Sequence, residues 1–231
     1  MDNTFLQDAN LSPKVIDVRA QPMFGLRVET AGSPGRAALE KQIAARFASQ
    51  FDARIQQFLP YLLTLEIGGR SSAVAGLRPG ATGALFLERY LDNAAEQVIS
   101  RTFHMPVDRS QVVEIGNLAS SEAGSGYILF AVLAALLSEA GFRWVICTAT
   151  PQVENMLRRM GFTPTRICVA DPTRLGDAAR DWGSYYSVRP HVIAGDVRHA
   201  AERVQDDANI AAILRDLGDI SERLETYRRQ S

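Results

Sequence analysis

Residues 111–170 read QVVEIGNLASSEAGSGYILFAVLAALLSEAGFRWVICTATPQVENMLRRMGFTPTRICVA, and this stretch decides the fold. Gln111–Ala119 is rich in β-branched residues, with Glu114 alternating with Val113 and Ile115, and predicts a strand. Ser120–Gly126 is a Gly/Ser loop, and Tyr127–Ala140 is an apolar helix ended by Gly141. Arg143–Ala149 is a strand with almost no polar interruption, as expected when both faces of a sheet are covered. Pro151–Met160 predicts a helix ended by Gly161, and Thr165–Ala170 another strand. Strand, helix, strand, helix, strand is an α/β unit with neighbouring parallel strands at its centre.

Upstream, Gly32-Ser33-Pro34-Gly35 is a turn cluster that opens a helix reaching about Phe51. Ala38, Leu39, Ile43, Phe47 and Phe51 recur on one of its faces. Phe58–Ile67 and Ser71–Leu77 flank Gly68-Gly69 and read as a β-hairpin. Ala94–Phe103 predicts a short helix. Downstream, Ser184–Ala194 predicts a strand broken at Pro190. Residues 1–20 are a weakly patterned lead-in. Val197–Tyr227 is helical in pattern, with Ile210, Ile213, Leu214, Leu217, Ile220 and Leu224 as an apolar stripe. The stripe packs on its own domain or forms a dimer helix; the lack of a longer heptad favours the first. The expected organisation is one α/β domain over 1–196 and a helical extension over 197–231.

The chain has 231 residues and is 46% hydrophobic, enough for a sizeable core. With 25 basic and 26 acidic residues the net charge is -1. That balance speaks against a sequence-independent grip on nucleic acid and against a polybasic membrane-surface protein. Only Lys14 and Lys41 are lysine; the arginines are spread along the whole chain, as genome base composition alone produces. The first ten residues have no basic and apolar leader pattern, so no secretory signal is expected. The apolar run Tyr127–Leu137 is too short to span a bilayer, and no stable membrane insertion is expected. Cys147 and Cys168 form no disulfide framework, which fits a reducing, cytoplasmic setting. His104, His191 and His199 have no ligand spacing, so no metal site is expected.

A Gly-rich loop opening a helix directs backbone N–H groups and the positive end of the helix dipole at one spot. Gly124 and Gly126 permit the close approach of a phosphate. No lysine follows, which excludes a P-loop, and the loop is too short for the dinucleotide fingerprint. Glu122 opposes an anion at the same place. On the loop alone, a phosphate cradle and a plain tight connection stand level.

The order of elements resembles the GNAT superfamily of acyl-CoA N-acyltransferases. Ser121-Glu122-Ala123-Gly124-Ser125-Gly126 matches both glycines of its pyrophosphate loop, with Ser121 in place of Gln or Arg. Leu157 stands near the position of its tyrosine general acid, so that acid is missing. VENMLRRMGFTPTRI is similar to acyl-homoserine-lactone synthases, which take acyl-carrier-protein thioesters. Asn117 falls where those synthases carry an Arg. ERYLDNAAEQVIS, VVEIGNLAS, WVICTATPQVENMLRRMGF and DWGSYYSVRPHVIAGD resemble blocks of the thermostable haemolysin family over about 30–200.

The resemblance implies a mixed α/β sheet of GNAT-like fold with a C-terminal helix. It also implies transfer of an acyl group from acyl-CoA or an acyl-phosphopantetheine carrier protein to the amine of a small molecule. In that reading the strand alternation sets Glu114 opposite Val113 and Ile115, as a general base or as a carboxylate paired with an arginine. The backbone N–H groups of Leu118 and Ala119, beside Asn117, bind the thioester carbonyl. Gly124, Ser125 and Gly126 take the phosphate. Tyr185 and Tyr186, adjacent on a predicted strand, include an inward phenol; Tyr186 is the candidate acid, and aromatic core packing is its alternative. Arg89 and Tyr90 are substrate candidates through the family blocks, with an ion pair as the alternative for Arg89. Trp182 reads as core and Cys147 as buried and inert. The partners of this reading are an acyl-carrier protein, an amine, and a second copy of the chain. The competing classes are a membrane-active, haemolysin-like protein and a non-catalytic binding protein of the same fold.

Overall fold

The computed structural model describes residues 24–215 and 218–229; the expected lead-in at 1–20 and Leu217 of the tail stripe lie outside them. In chain order the elements are β1 (Phe24–Glu29), α1 (Arg36–Phe51), β2 (Tyr61–Ile67), β3 (Arg70–Pro79), α2 (Ala95–Phe103), β4 (Val112–Ser120) and α3 (Ser125–Glu139). Then come β5 (Trp144–Ala149), α4 (Pro151–Arg159), β6 (Thr165–Val169), β7 (His191–Asp196), α5 (Val197–Val204), α6 (Ala208–Arg215) and α7 (Gly218–Arg229). Short 3₁₀ segments include Phe86–Tyr90, Pro172–Trp182 and Tyr185–Val188.

The strands form one sheet in the order β1-β2-β3-β4-β5-β7-β6. The β2–β3 hairpin turns at Gly68 and Gly69, both with positive φ (60° and 76°), as a two-residue turn with the right twist requires. Among the described strands only β4 and β5 run parallel, because α3 carries the chain back between them. β1, an edge strand, was not expected from the pattern; its Leu26 and Val28 face the core.

Side chains leave β4 alternately, and two cores result. Val113 and Ile115 join the α3 side, where α5, α6 and α7 cover α3's outer surface. That double cover explains why α3 is apolar all round. On the other side, Leu39, Ile43, Phe47 and Phe51 of α1 pack on Leu62, Val74 and Ala119. Leu87, Ala95 and Ile99 pack on Val112, Trp144 and Ile146.

Two expectations need correction. Tyr185 and Tyr186 do not lie on a strand; they open a 3₁₀ turn, and β7 starts at His191. Arg189 is left-handed (φ 52°) and Pro190 has no N–H for a ladder, so pairing cannot begin earlier. Among the described residues the tail is not one run, since α5 ends at Val204 and α6 starts at Ala208. Asp196 caps α5 by accepting from the N–H groups of Arg198 and His199, and Asp207 caps α6 by accepting from Ile210 N–H (3.3 Å). Ile210, Ile213, Ile220 and Leu224 are buried in the same core as α3.

Candidate active site

β4 and β5 pair only from Val112 to Ile115 against Trp144 to Cys147, although β5 continues beside β7 as far as Ala149. Beyond Ile115 the two strands part. The cause is local. Between the pairs Val74–Ala119 and Gly76–Gly116, β3 advances two residues while β4 advances three. The extra residue is a bulge, and Asn117 takes it up with φ 49°. Asparagine tolerates that conformation better than most residues. Its side chain then locks the bulge: Oδ1 accepts from Leu59 N–H (2.8 Å) and Nδ2 donates to Gln57 carbonyl oxygen (3.4 Å). Leu59 lies so close that a Cβ on Gly116 would meet its Cδ1 at 3.1 Å.

Where β4 ends, the loop turns into α3. Gly124 has φ 86° and offers no side-chain cap, so the N–H groups of Gly126 and Tyr127 in α3's first turn have no intrahelical acceptor. Ser125 is buried, whereas Ser121 is exposed. Ser121 N–H and hydroxyl both donate to Ser72 carbonyl oxygen (2.9 and 3.1 Å). The Ser125 hydroxyl proton is shared between Ser72 and Glu122 carbonyl oxygens (2.9 and 2.8 Å). Both hydroxyls are thus engaged by carbonyl oxygens of the protein itself. Glu122 is exposed and lies 3.7 Å from Arg70.

The parted strands open a cleft of about 2220 Å³ that includes Glu114, Asn117, Leu118, Ala119, Gly124 and Gly126 in its lining. Glu114 and Ile115 point to opposite faces of the sheet and both line it, so the cleft passes through the sheet. Glu114 is 3% exposed. Its Oε2 accepts from Phe86 N–H (2.8 Å) and its Oε1 from Leu87 N–H (2.9 Å). Its carboxylate thus holds the start of the 3₁₀ segment Phe86–Tyr90, and no arginine pairs with it among the described residues. Burial pushes its carboxyl above the ordinary carboxylate range, against the pull of those two N–H groups and of Arg78.

Next to it, Glu88 accepts from Leu85 and Ala95 N–H groups (both 2.8 Å) and pairs with Arg109 (2.7 Å). Burial works upward on its carboxyl, and Arg109 with these N–H groups outweighs it and holds the carboxyl below the usual value. Arg109 also pairs with Glu96 (2.6 Å) and donates to Gly80 and Gly83 carbonyl oxygens. Nothing local in the sequence marks this clamp, since its partners lie 13 to 29 residues apart.

The hydroxyls of Tyr90 and Tyr186 are 2.5 Å apart. Tyr90 lines the cleft and Tyr186 stands behind it. Burial pushes the Tyr90 phenol up to about 12, with the Tyr186 bond and Arg89 working downward. The Tyr186 phenol is also raised, by burial first and then by Tyr90. Both stay protonated near neutrality. Arg89 stacks on Phe86, its guanidinium carbon 4.9 Å from the ring centroid, and makes no ion pair among the described residues. Trp182 packs on Phe86 (5.6 Å) and Tyr185 (5.3 Å) and lines the cleft rather than lying in the core proper. Arg174 fastens the far side by donating to Arg89 and Leu91 carbonyl oxygens (2.9 and 2.7 Å). Cys147 is buried with its thiol pushed up to about 12, as an inert core cysteine should be. No cluster of three or more His, Cys, Asp or Glu placed for a metal occurs among the described residues.

Solved structures share this fold. The acyl-homoserine lactone synthase LasI matches with a TM-score of 0.50 at 13% identity, over 77% of this chain and 91% of that one. BjaI, a CoA-dependent acyl-homoserine lactone synthase solved with SAM and isopentyl-CoA, matches at 0.53 and 12%, over 81% and 90%. FeeM, an N-acyl amino acid synthase from uncultured soil microbes, matches at 0.50 and 15%, over 80% and 98%. The fold is that of the GNAT-like acyltransferases. The chain belongs to the thermostable hemolysin family, whose model matches residues 29–201. No curated protein matches it in sequence.

Proposed function

We propose that the protein is an N-acyltransferase that moves an acyl group from a thioester, on CoA or an acyl-carrier protein, to the amine of a small molecule. One observation carries this reading. β4 and β5 part at Asn117 directly before an uncapped helix start, and both features open into one cleft. A thioester needs such a pair: donors for a developing oxyanion and a site for phosphate a short distance away.

In this reading the N–H group of Leu118, next to the bulged Asn117, faces the thioester carbonyl, while that of Ala119 is directed toward β3 in its ladder pair with Val74. The backbone of Gly124, Ser125 and Gly126 receives the phosphate of the carrier. Glu114 takes the proton from the attacking amine, and burial makes it a stronger base than an ordinary carboxylate. The amine nitrogen bonds to the carbonyl carbon, the carbon–sulfur bond breaks, and sulfur leaves with the bonding pair as a thiolate; the proton that Glu114 took returns through solvent to give the thiol. Tyr90 offers the phenolic hydrogen bond toward the departing sulfur, with Tyr186 supporting it from behind. Arg89 and Tyr90 border the acceptor. No metal enters this chemistry. A cytoplasmic supply of acyl thioesters completes the proposal.

The family's description raises the membrane-active alternative. No helix among the described residues is long and apolar enough to cross a membrane. The most apolar one, α3, is covered by α5, α6 and α7. The test is direct. Purified protein is incubated with acyl-CoA or acylated carrier protein and a mixture of amines, and released thiol and acylated amine are followed by mass spectrometry. Amide formation supports the proposal. Carrier binding without turnover points to the non-catalytic reading, and neither binding nor turnover overturns the proposal.

A further inference from the structure

We propose that Arg109 is a positioning residue that decides which of two neighbouring carboxylates serves as the base: it keeps Glu88 ionised and leaves the proton exchange to Glu114, a role that rests on the acyl-transfer reading above. Three consecutive backbone N–H groups bring the two carboxylates together. Leu85 N–H donates to Glu88 Oε2 (2.8 Å), Phe86 N–H to Glu114 Oε2 (2.8 Å) and Leu87 N–H to Glu114 Oε1 (2.9 Å). Both carboxylates therefore grip one turn of backbone, and both residues line the cleft. Like charges on adjacent N–H groups oppose joint ionisation unless one of them is neutralised.

The neutralisation is one-sided. Arg109 meets both oxygens of Glu88, Nη1 on Oε1 (2.7 Å) and Nη2 on Oε2 (3.1 Å). It also donates from Nη1 to Glu96 Oε2 (2.6 Å), from Nε to Gly80 carbonyl oxygen (2.8 Å) and from Nη2 to Gly83 carbonyl oxygen (2.7 Å). All the N–H donors of a guanidinium are thereby spent, and none is left for Glu114. The charged and titratable groups that face Glu114 are Arg78 of β3, Glu88 and Tyr90 of the 3₁₀ segment, and Cys147 of β5. Arg78 is held by Ala84 carbonyl oxygen (2.9 Å). Burial works upward on both carboxyls. At Glu88 it is outweighed by Arg109 and by the Ala95 and Leu85 N–H groups. At Glu114 burial prevails over the Phe86 and Leu87 N–H groups and Arg78, and the charge of Glu88 adds to it. Two carboxyls pushed apart in this way take different roles, one a fixed charge and the other a proton acceptor.

The ion pair can be cut from either end, and the two cuts have opposite signs. Arg109→Met leaves Glu88 as an uncompensated charge beside Glu114, so proton uptake by Glu114 should move to higher pH. Glu88→Gln removes that charge and frees Arg109, so uptake should move to lower pH. Each shift should be about half a pH unit or more, the size of one charge acting across a partly solvated site. Arg109→Lys keeps the cation and should titrate near the wild type. Loosened packing alone would move both cut variants in the same direction. The readout is a carboxyl ¹³C NMR titration of the full chain, with the Glu114 signal assigned by its loss in Glu114→Gln; the acid limb of turnover should follow it. Should Arg109→Met fail to fold, the direction of the Glu88→Gln shift decides. Shifts of the same sign, or no downward shift in Glu88→Gln, overturn this inference and leave the acyl-transfer reading standing. Opposite shifts in a protein that turns over no thioester overturn that reading, and the charge assignment stands.

Discussion

Glu114 holds the first two N–H groups of the Phe86–Tyr90 segment while facing the cleft, so a substitution there acts on stability and chemistry together. Glu114→Gln keeps the shape but turns an amide NH₂ toward one of those donors. A loss of about 1–3 kcal/mol in urea unfolding is expected, with a larger loss in turnover. The pH dependence has opposite signs for the two readouts. The folded carboxyl is raised above its unfolded value, so in the window just above the ordinary value the fold binds more protons than the unfolded chain. Stability then falls as pH rises through the folded value. Turnover, which needs the carboxylate, rises through the same window, with an acid limb above 4.5. The Gln variant should lose both slopes. At Asn117 the two contributions separate by substitution. Asn117→Gly loses the bonds to Leu59 and Gln57, whereas Asn117→Ala loses them and also strains φ. The alanine variant should be less stable than the glycine variant by about 1 kcal/mol in denaturant titration.

At the scale of elements, the start of α3 offers a cleaner test of phosphate binding than any charged side chain. Gly126 has ordinary φ, and a Cβ there meets only Met156 Sδ at 3.8 Å and Ser120 Oγ at 3.9 Å. Gly126→Ala should melt at the wild-type temperature yet bind CoA about tenfold more weakly, the cost of one displaced backbone–phosphate hydrogen bond. Gly124→Ala should instead lose about 1 kcal/mol of stability, because φ is 86° even though the space beyond is open. Unchanged CoA affinity in Gly126→Ala would count against the phosphate site. The elements around the loop were legible because glycine and proline punctuate them: Gly141 and Gly161 end two helices and Pro151 starts one. Ser184–Ala194 reads as a single strand because YYSV has β-forming residues. Turn bonds from Ser187 to Ser184 and from Arg189 to Tyr186 override that propensity.

For the whole molecule, the tail shares its core with α3, so it should not unfold by itself. Leu224→Ala is expected to lower the stability of the entire fold by about 2–5 kcal/mol in one cooperative transition. A separate early transition of the tail, seen by calorimetry, would show an independently packed extension instead.

The sequence by itself determined the β4–α3–β5–α4–β6 succession, the hairpin at Gly68-Gly69, the loop that opens α3 and the single helix faces of α1. These rest on periodicity and turn chemistry, which are local. Glycine spacing singled out the Gly124–Gly126 loop and alternation gave the face of Glu114, while the candidate role of Glu114 came from the resemblance to the GNAT superfamily. Only the tertiary structure decided what those residues meet. Pairing of Glu114 with backbone rather than arginine, the Asn117 lock on Leu59 and the Tyr90–Tyr186 hydroxyl contact join residues 27 to 96 positions apart. Such contacts are fixed by how the layers close over the sheet, and no short window of sequence carries that information.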